Sequence, residues 1–234
     1  MCLFKLKMEE FAVSDVEACN LAYAGDLEKL QQLMATDGSA ASNTDKASRA
    51  PLHWSASAGH DAVVMFLLQN GCDPNLPDDE GWSALHIASS AGRTDIVRAL
   101  ITHRAHINAT TKRAQTPLLY AASRDRQEIL SMLLEGGADA NLADCLGATP
   151  LHRAASCGHL KVLRILVEHG ANVQKTDAQG NSPLHLACEE ERTAEAQLLV
   201  RHGADLSLRN HEGQTPLDLA PTGLATQLQR MTVN

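Results

Sequence analysis

A leucine returns every 33 residues through most of this chain, at Leu52, Leu85, Leu118, Leu151, Leu184 and Leu217. Around each stands a near-copy of one phrase: Pro51-Leu52-His53, Ala84-Leu85-His86, Pro117-Leu118-Leu119, Pro150-Leu151-His152, Pro183-Leu184-His185 and Pro216-Leu217-Asp218. A fixed period of this length constrains the fold strongly. Each unit is one supersecondary element that cannot bury its apolar face alone, so the units must stack, each touching only its neighbours.

With Asp78 as position 1, units begin at Asp45, Asp78, Thr111, Asp144, Asp177 and Asn210. A turn comes first, with glycine at its fourth position in Gly81, Gly147, Gly180 and Gly213, where a tight turn demands positive φ. Thr or Ser then caps a short helix that starts with proline, as in Thr116-Pro117, Thr149-Pro150, Ser182-Pro183 and Thr215-Pro216. Gly59, Gly92 and Gly158 end that helix. A second helix carries an amphipathic stripe, Val63/Val64/Leu67/Leu68, repeated at Ile96/Val97/Leu100/Ile101, Ile129/Leu130/Leu133/Leu134 and Val162/Leu163/Leu166/Val167. Two units depart from this grammar. The Thr111 unit has Ala114 and Asp125 at glycine positions and is entered through Arg104, also at a glycine position. The Asp177 unit has Glu191 at a glycine position and Glu195 in the stripe.

This period and phrase resemble ankyrin repeats. The expected fold is an all-α ankyrin-repeat solenoid of seven helix-turn-helix repeats joined by β-turn loops. The expected divisions are a mobile extension at 1–15, an N-terminal capping repeat at 16–44, and repeats at 45–77, 78–110, 111–143, 144–176 and 177–209. A C-terminal capping repeat at 210–234 completes them, because an end repeat must show one face to water.

Composition narrows the function. The 234 residues carry a net charge of −8 and no long basic run, which argues against nucleic acid as the main ligand. No segment has the 18 or so consecutive apolar residues that a membrane span needs. Six cysteines form no C-x-x-C pair and no metal-ligand spacing, as expected of a reduced compartment. Of the eleven histidines, His53, His86, His152 and His185 belong to the repeated phrase and are expected to bond loop backbone. His103 and His106 lack recurring partners. Nothing matches a phosphate loop or a nucleophile elbow, so no catalytic residue, metal or cofactor is expected.

The ankyrin resemblance implies that positions 2, 3, 5, 13 and 14 of each unit face a partner. On this chain that strip is acidic at Asp78, Asp79 and Glu80, with Trp82 expected as an exposed anchor. It is basic at Lys112, Arg113, Arg124 and Arg126, and acidic again at Glu189, Glu190 and Glu191. Between them the Asp144 unit presents Cys145, Leu146, Ala148, Ser156 and Cys157. Leu186-Ala187-Cys188-Glu189-Glu190 also matches L-x-C-x-E, a motif that pocket proteins of the retinoblastoma type read as an extended strand. Leu186 and Cys188 are expected to be buried in a helix here, which is the wrong conformation for Leu186, Cys188 and Glu190 to be read.

Beyond the generic repeat, the chain resembles the gankyrin family of ankyrin-repeat proteasome-assembly chaperones from about residue 16 to 231. The resemblance is carried by Cys19-Asn20-Leu21-Ala22-Tyr23, Ser48-Arg49 before Leu52-His53-Trp54, Gly81-Trp82-Ser83-Ala84-Leu85-His86-Ile87-Ala88, Leu134-Glu135-Gly136-Gly137-Ala138 and Pro183-Leu184-His185-Leu186-Ala187-Cys188. It implies a monomeric, cytoplasmic and nuclear protein that docks the C-terminal domain of a proteasomal ATPase subunit during assembly of the regulatory particle. It also implies an alternative role as a cell-cycle adaptor for a cyclin-dependent kinase, the retinoblastoma protein or a ubiquitin ligase. Tyr23, Arg49, Trp54, Asp79, Trp82 and Arg124 match contact positions of that family. Ala47, where an acidic residue is expected, departs from it.

Overall fold

The structure, a computed structural model, describes residues 14–232; most of the extension expected at 1–15 lies outside them. Two compact units divide the chain, one ending at Ala105 and one starting at His106. The first contains α1 (Glu17–Ala24), α2 (Leu27–Thr36), α3 (Pro51–Ala58), α4 (Asp61–Gln69), α5 (Ala84–Ala91) and α6 (Thr94–Thr102). The second contains α7 (Pro117–Ser123), α8 (Gln127–Glu135), α9 (Pro150–Cys157), α10 (Leu160–Glu168), α11 (Pro183–Glu189), α12 (Thr193–Arg201), α13 (Pro216–Leu219) and α14 (Thr222–Thr232). Among the described residues there are seven helix pairs and no strand, as the repeat demands.

The leucine series fills the same core position in each repeat: Leu52, Leu85, Leu118, Leu151 and Leu184 are buried, and only the terminal Leu217 is partly exposed. First helices stack on first helices, α1 on α3 and α3 on α5 in the first unit, and α7, α9, α11 and α13 in order in the second. The second-helix stripes are buried too, except Ile101 and Val167, which are half-buried. Each fully buried leucine contributes about 1.5–3 kcal/mol.

Each turn is stitched by its first residue. The Asp78 carboxylate accepts the N–H groups of Glu80 and Trp82 at 2.9 and 2.8 Å, and Asp144 accepts those of Leu146 and Ala148 at 2.9 and 3.0 Å. Successive turns are rung together by backbone bonds: Asp79 N–H to the Ala47 carbonyl, Cys145 to Arg113, Ala178 to Leu146 and His211 to Gln179, at 2.9–3.0 Å. Glycine is required at Gly147, where φ is +75° and a Cβ would stand 2.8 Å from the Ala178 nitrogen. Arg104 and Ala114 hold φ of +64° and +57°, so the chain adopts the left-handed turn there without glycine. Asp125 and Glu191 do the same at +54° and +57°, and so does Ser48, at +59°.

The phrase histidines are staples. His152 Nδ1 accepts the Thr149 N–H at 3.2 Å and its hydroxyl at 2.8 Å, which leaves Nε2–H to donate to the Asn181 carbonyl at 3.0 Å. His53 and His185 bridge to the carbonyls of Trp82 and Gln214 in the same way. Burial holds all three imidazoles below the ordinary 6.5, so they are neutral at pH 7.

Candidate protein-binding site

In the first unit the structure brings Tyr23, Arg49, Trp54 and Asp78 together. Tyr23 and Trp54 meet edge to face with ring centroids 5.7 Å apart, and the Arg49 guanidinium lies 5.5 Å from the Trp54 ring. Arg49 Nε donates to Asp78 at 3.0 Å, and Trp54 Nε1 donates to Asp45 at 3.0 Å. This geometry corrects two expectations, for Asp78 and Trp82, and adds a pairing for Arg49. Asp78 is not a surface carboxylate: its side chain is 2% exposed, since it ties its own turn and receives Arg49. Arg49 reaches the surface already paired, with 38% of its side chain exposed, so a partner would meet a partly neutralised guanidinium. Trp82 is half-buried rather than fully exposed, its ring tilted against the buried His86 at 6.1 Å. Asp79 and Glu80 do stand exposed, and Asp79 accepts the Ser48 hydroxyl of the preceding turn.

In the second unit Lys112, Arg113 and Arg124 are exposed, the first two on a turn and the last at the end of α7. Arg113 and Arg124 both act on the half-buried Tyr120 hydroxyl. Burial nevertheless pushes that hydroxyl up to about 12, so Tyr120 stays a neutral donor, 2.6 Å from Gln115. Arg126 is half-buried as the N-cap of α8. Glu189, Glu190 and Glu191 are exposed at the end of α11. Glu189 lines a shallow groove of about 230 Å³ with Gln179, His211 and Glu212.

The L-x-C-x-E residues lie on α11 as a helix. Cys188 is fully buried and its thiol is pushed up to about 12 by that burial. Glu190 is exposed. Leu186 is half-buried, which corrects the expectation that it belongs to the core. His103 spends its ring nitrogen on the Ala99 carbonyl at 2.8 Å.

Two features escaped the sequence reading. The first is a pair of basic side chains in each unit, 33 apart, that donate to carbonyls ending the previous first helix: His60 to Tyr23 at 2.9 Å and Arg93 to Ser57 at 3.3 Å in the first, His159 to Ser123 at 3.3 Å and Arg192 to Ser156 at 3.2 Å in the second. Gly59, at φ +91°, lies directly beneath the Arg93 guanidinium. Their common spacing was the available signal. The second is Leu146. It was placed on the outward strip without a role, and it is 54% exposed.

Ankyrin-repeat family models match residues 18–111 and 106–177, and a further one matches 166–220. The human 26S proteasome non-ATPase regulatory subunit 10 is 51% identical over 74 residues, which are 32% of this chain and 33% of that protein. The match thus spans about a third of that relative. Among solved structures, the ankyrin repeat domain of Bcl-3 superposes with a TM-score of 0.83 at 29% identity, covering 92% of this chain and 98% of that one. The human ASB11 ankyrin repeat domain gives a TM-score of 0.80 at 25% identity, over 92% and 96%.

Proposed function

The chain belongs to the ankyrin-repeat family, and from that membership we propose that it is a non-enzymatic assembly chaperone. It docks the C-terminal helical domain of a proteasomal ATPase subunit on its turn tips and first helices, and its bulk delays attachment of that subunit to the proteolytic core. The observation that carries this reading is the 51% identity over 74 residues to a proteasomal regulatory subunit. The exposed charges suit the role: carboxylates at Asp79 and Glu80 in one unit, cations at Lys112, Arg113 and Arg124 in the other. Charged patches of this kind steer encounter with a partner of complementary charge. The alternative, a pocket-protein or kinase adaptor acting through L-x-C-x-E, has less support, since Cys188 is buried in a helix.

The test is calorimetric titration of the chain with the C-terminal domains of the proteasomal ATPase subunits. One of them should bind, and Arg124→Glu should weaken it by about 2–5 kcal/mol if that charge pair is desolvated. The thermal melt should not move, because Arg124 is exposed. Binding by none of these domains would overturn the reading.

A further inference from the structure

We infer that Leu146 is the apolar anchor of the second unit's binding surface, and that this surface fits a protein helix carrying a carboxylate on one side of a small apolar contact and a basic side chain on the other. The inference rests on the reading that turn tips and first helices face a partner, but not on the partner being an ATPase subunit. Among the described residues Leu146 is the one exposed large hydrophobic. A single exposed leucine on a loose loop would mean little. This one is held on both sides: its N–H is bonded to Asp144 at 2.9 Å, and its carbonyl accepts the Ala178 N–H at 2.9 Å. Asp144 is itself clamped by Arg153 at 2.5 Å, which also neutralises that arginine. The side chain is therefore presented from a preorganised backbone, which lowers the ordering cost of binding.

Its surroundings specify the partner. In the same repeat Cys145, its neighbour in the turn, and Cys157, at the end of α9, are exposed and uncharged. The turn on one side carries Lys112 and Arg113 and is joined directly to this one through the bond from Cys145 N–H to the Arg113 carbonyl, 2.9 Å. The repeat on the other side ends its first helix in Glu189 and Glu190. Repeat by repeat the order is basic, apolar, acidic, the carboxylates standing at the end of α11 rather than on its turn, which carries Ala178 and Gln179. Packed helices lie about 8–10 Å apart, and a partner helix climbs that distance in about five to seven residues. A complementary helix thus places Glu, a small apolar residue and Lys or Arg about five to seven residues apart each.

The experiment uses the full chain and a synthetic alanine- and glutamine-rich helical peptide with Glu, Leu and Arg at that spacing, followed by fluorescence anisotropy. The peptide should bind, and Leu146→Ser should weaken it at least fivefold with an unchanged melt. Replacing the peptide leucine by serine should cost a similar factor, and the two changes together should cost less than their product, because they remove one shared contact. No binding by the wild-type chain, unchanged binding by Leu146→Ser, or strictly multiplicative losses would each overturn the inference. Peptide binding that persists while every ATPase domain fails to bind removes the chaperone reading alone. The reverse pattern removes only the anchor.

Discussion

The repeats beginning at Thr111 and Asp144 are neighbours written in the same phrase, yet they are stitched differently. In the Asp144 turn a carboxylate accepts two N–H groups at 2.9 and 3.0 Å and is clamped by Arg153. In the Thr111 turn a hydroxyl does the same work at 3.3 and 3.2 Å, with no carboxylate to attract the donors. Gly147 takes φ of +75° freely, whereas Ala114 takes +57° against its Cβ. His152 staples its helix cap to the next turn, whereas Leu119 stands in that place, buried but without a polar atom. Gly158 ends α9, and Asp125 follows α7 at +54°. The repeat that gives up four stabilising devices is the one carrying the basic group, while the regular repeat presents the apolar Leu146. The difference teaches that local regularity and charge-bearing are separable here. A tightly stitched turn carries the exposed Leu146, and a less tightly stitched one carries the long cations.

The largest expected break in this contrast is Asp144→Ala against Thr111→Ala. The first leaves two backbone donors and Arg153 without their acceptor and should cost about 3 kcal/mol; the second should cost about 1 kcal/mol. Denaturant midpoints measure both, and equal losses would erase the distinction. Next comes glycine exchange. Gly147→Ala puts a Cβ 2.8 Å from the Ala178 nitrogen and should cost about 2 kcal/mol. Ala114→Gly, and likewise Arg104→Gly in the first unit, should stabilise by at most about 1 kcal/mol, because glycine also frees the unfolded chain. Destabilisation by either would show that the left-handed φ there is well tolerated.

A smaller effect concerns pH. His53, His152 and His185 have native values below 6.5 through burial, so below that pH the unfolded chain binds more protons than the folded one. Their contribution is complete above about pH 6.5 and is lost as pH falls toward the native values. A denaturant series from pH 8 to pH 5 should be flat in its upper part and fall in its lower part. The loss should be larger for amides of the Asp144 repeat than for those of the Thr111 repeat, which has Leu119 in place of the imidazole. A rise in stability on acidification would contradict the neutral-staple assignment.

Much of this was legible in the sequence, for a physical reason. Stacked identical units force identical positions into identical surroundings, so Leu52 predicts the burial of Leu184, and the glycines at 81 and 147 predict the left-handed φ at Ala114. What was not legible depends on three-dimensional contacts that no spacing encodes. Nothing in the sequence pairs Arg49 with Asp78, 29 residues away, until the next turn packs against it. Trp82 reads as exposed until His86 is seen beneath its ring. Leu186 follows a helical pattern that places it near the core, yet its position leaves it half in solvent. The His60 and Arg93 pair and the His159 and Arg192 pair were hidden because two residue types share one job.

The most direct test of the contrast is native-state hydrogen exchange at four amides. Arg113 and Gln115 donate to the Thr111 hydroxyl, and Leu146 and Ala148 donate to the Asp144 carboxylate. After correction for intrinsic rates, the first pair should exchange at least about tenfold faster than the second, a difference of about 1.4 kcal/mol in local opening. Equal protection in the two turns, or slower exchange at Arg113 and Gln115, would contradict the account.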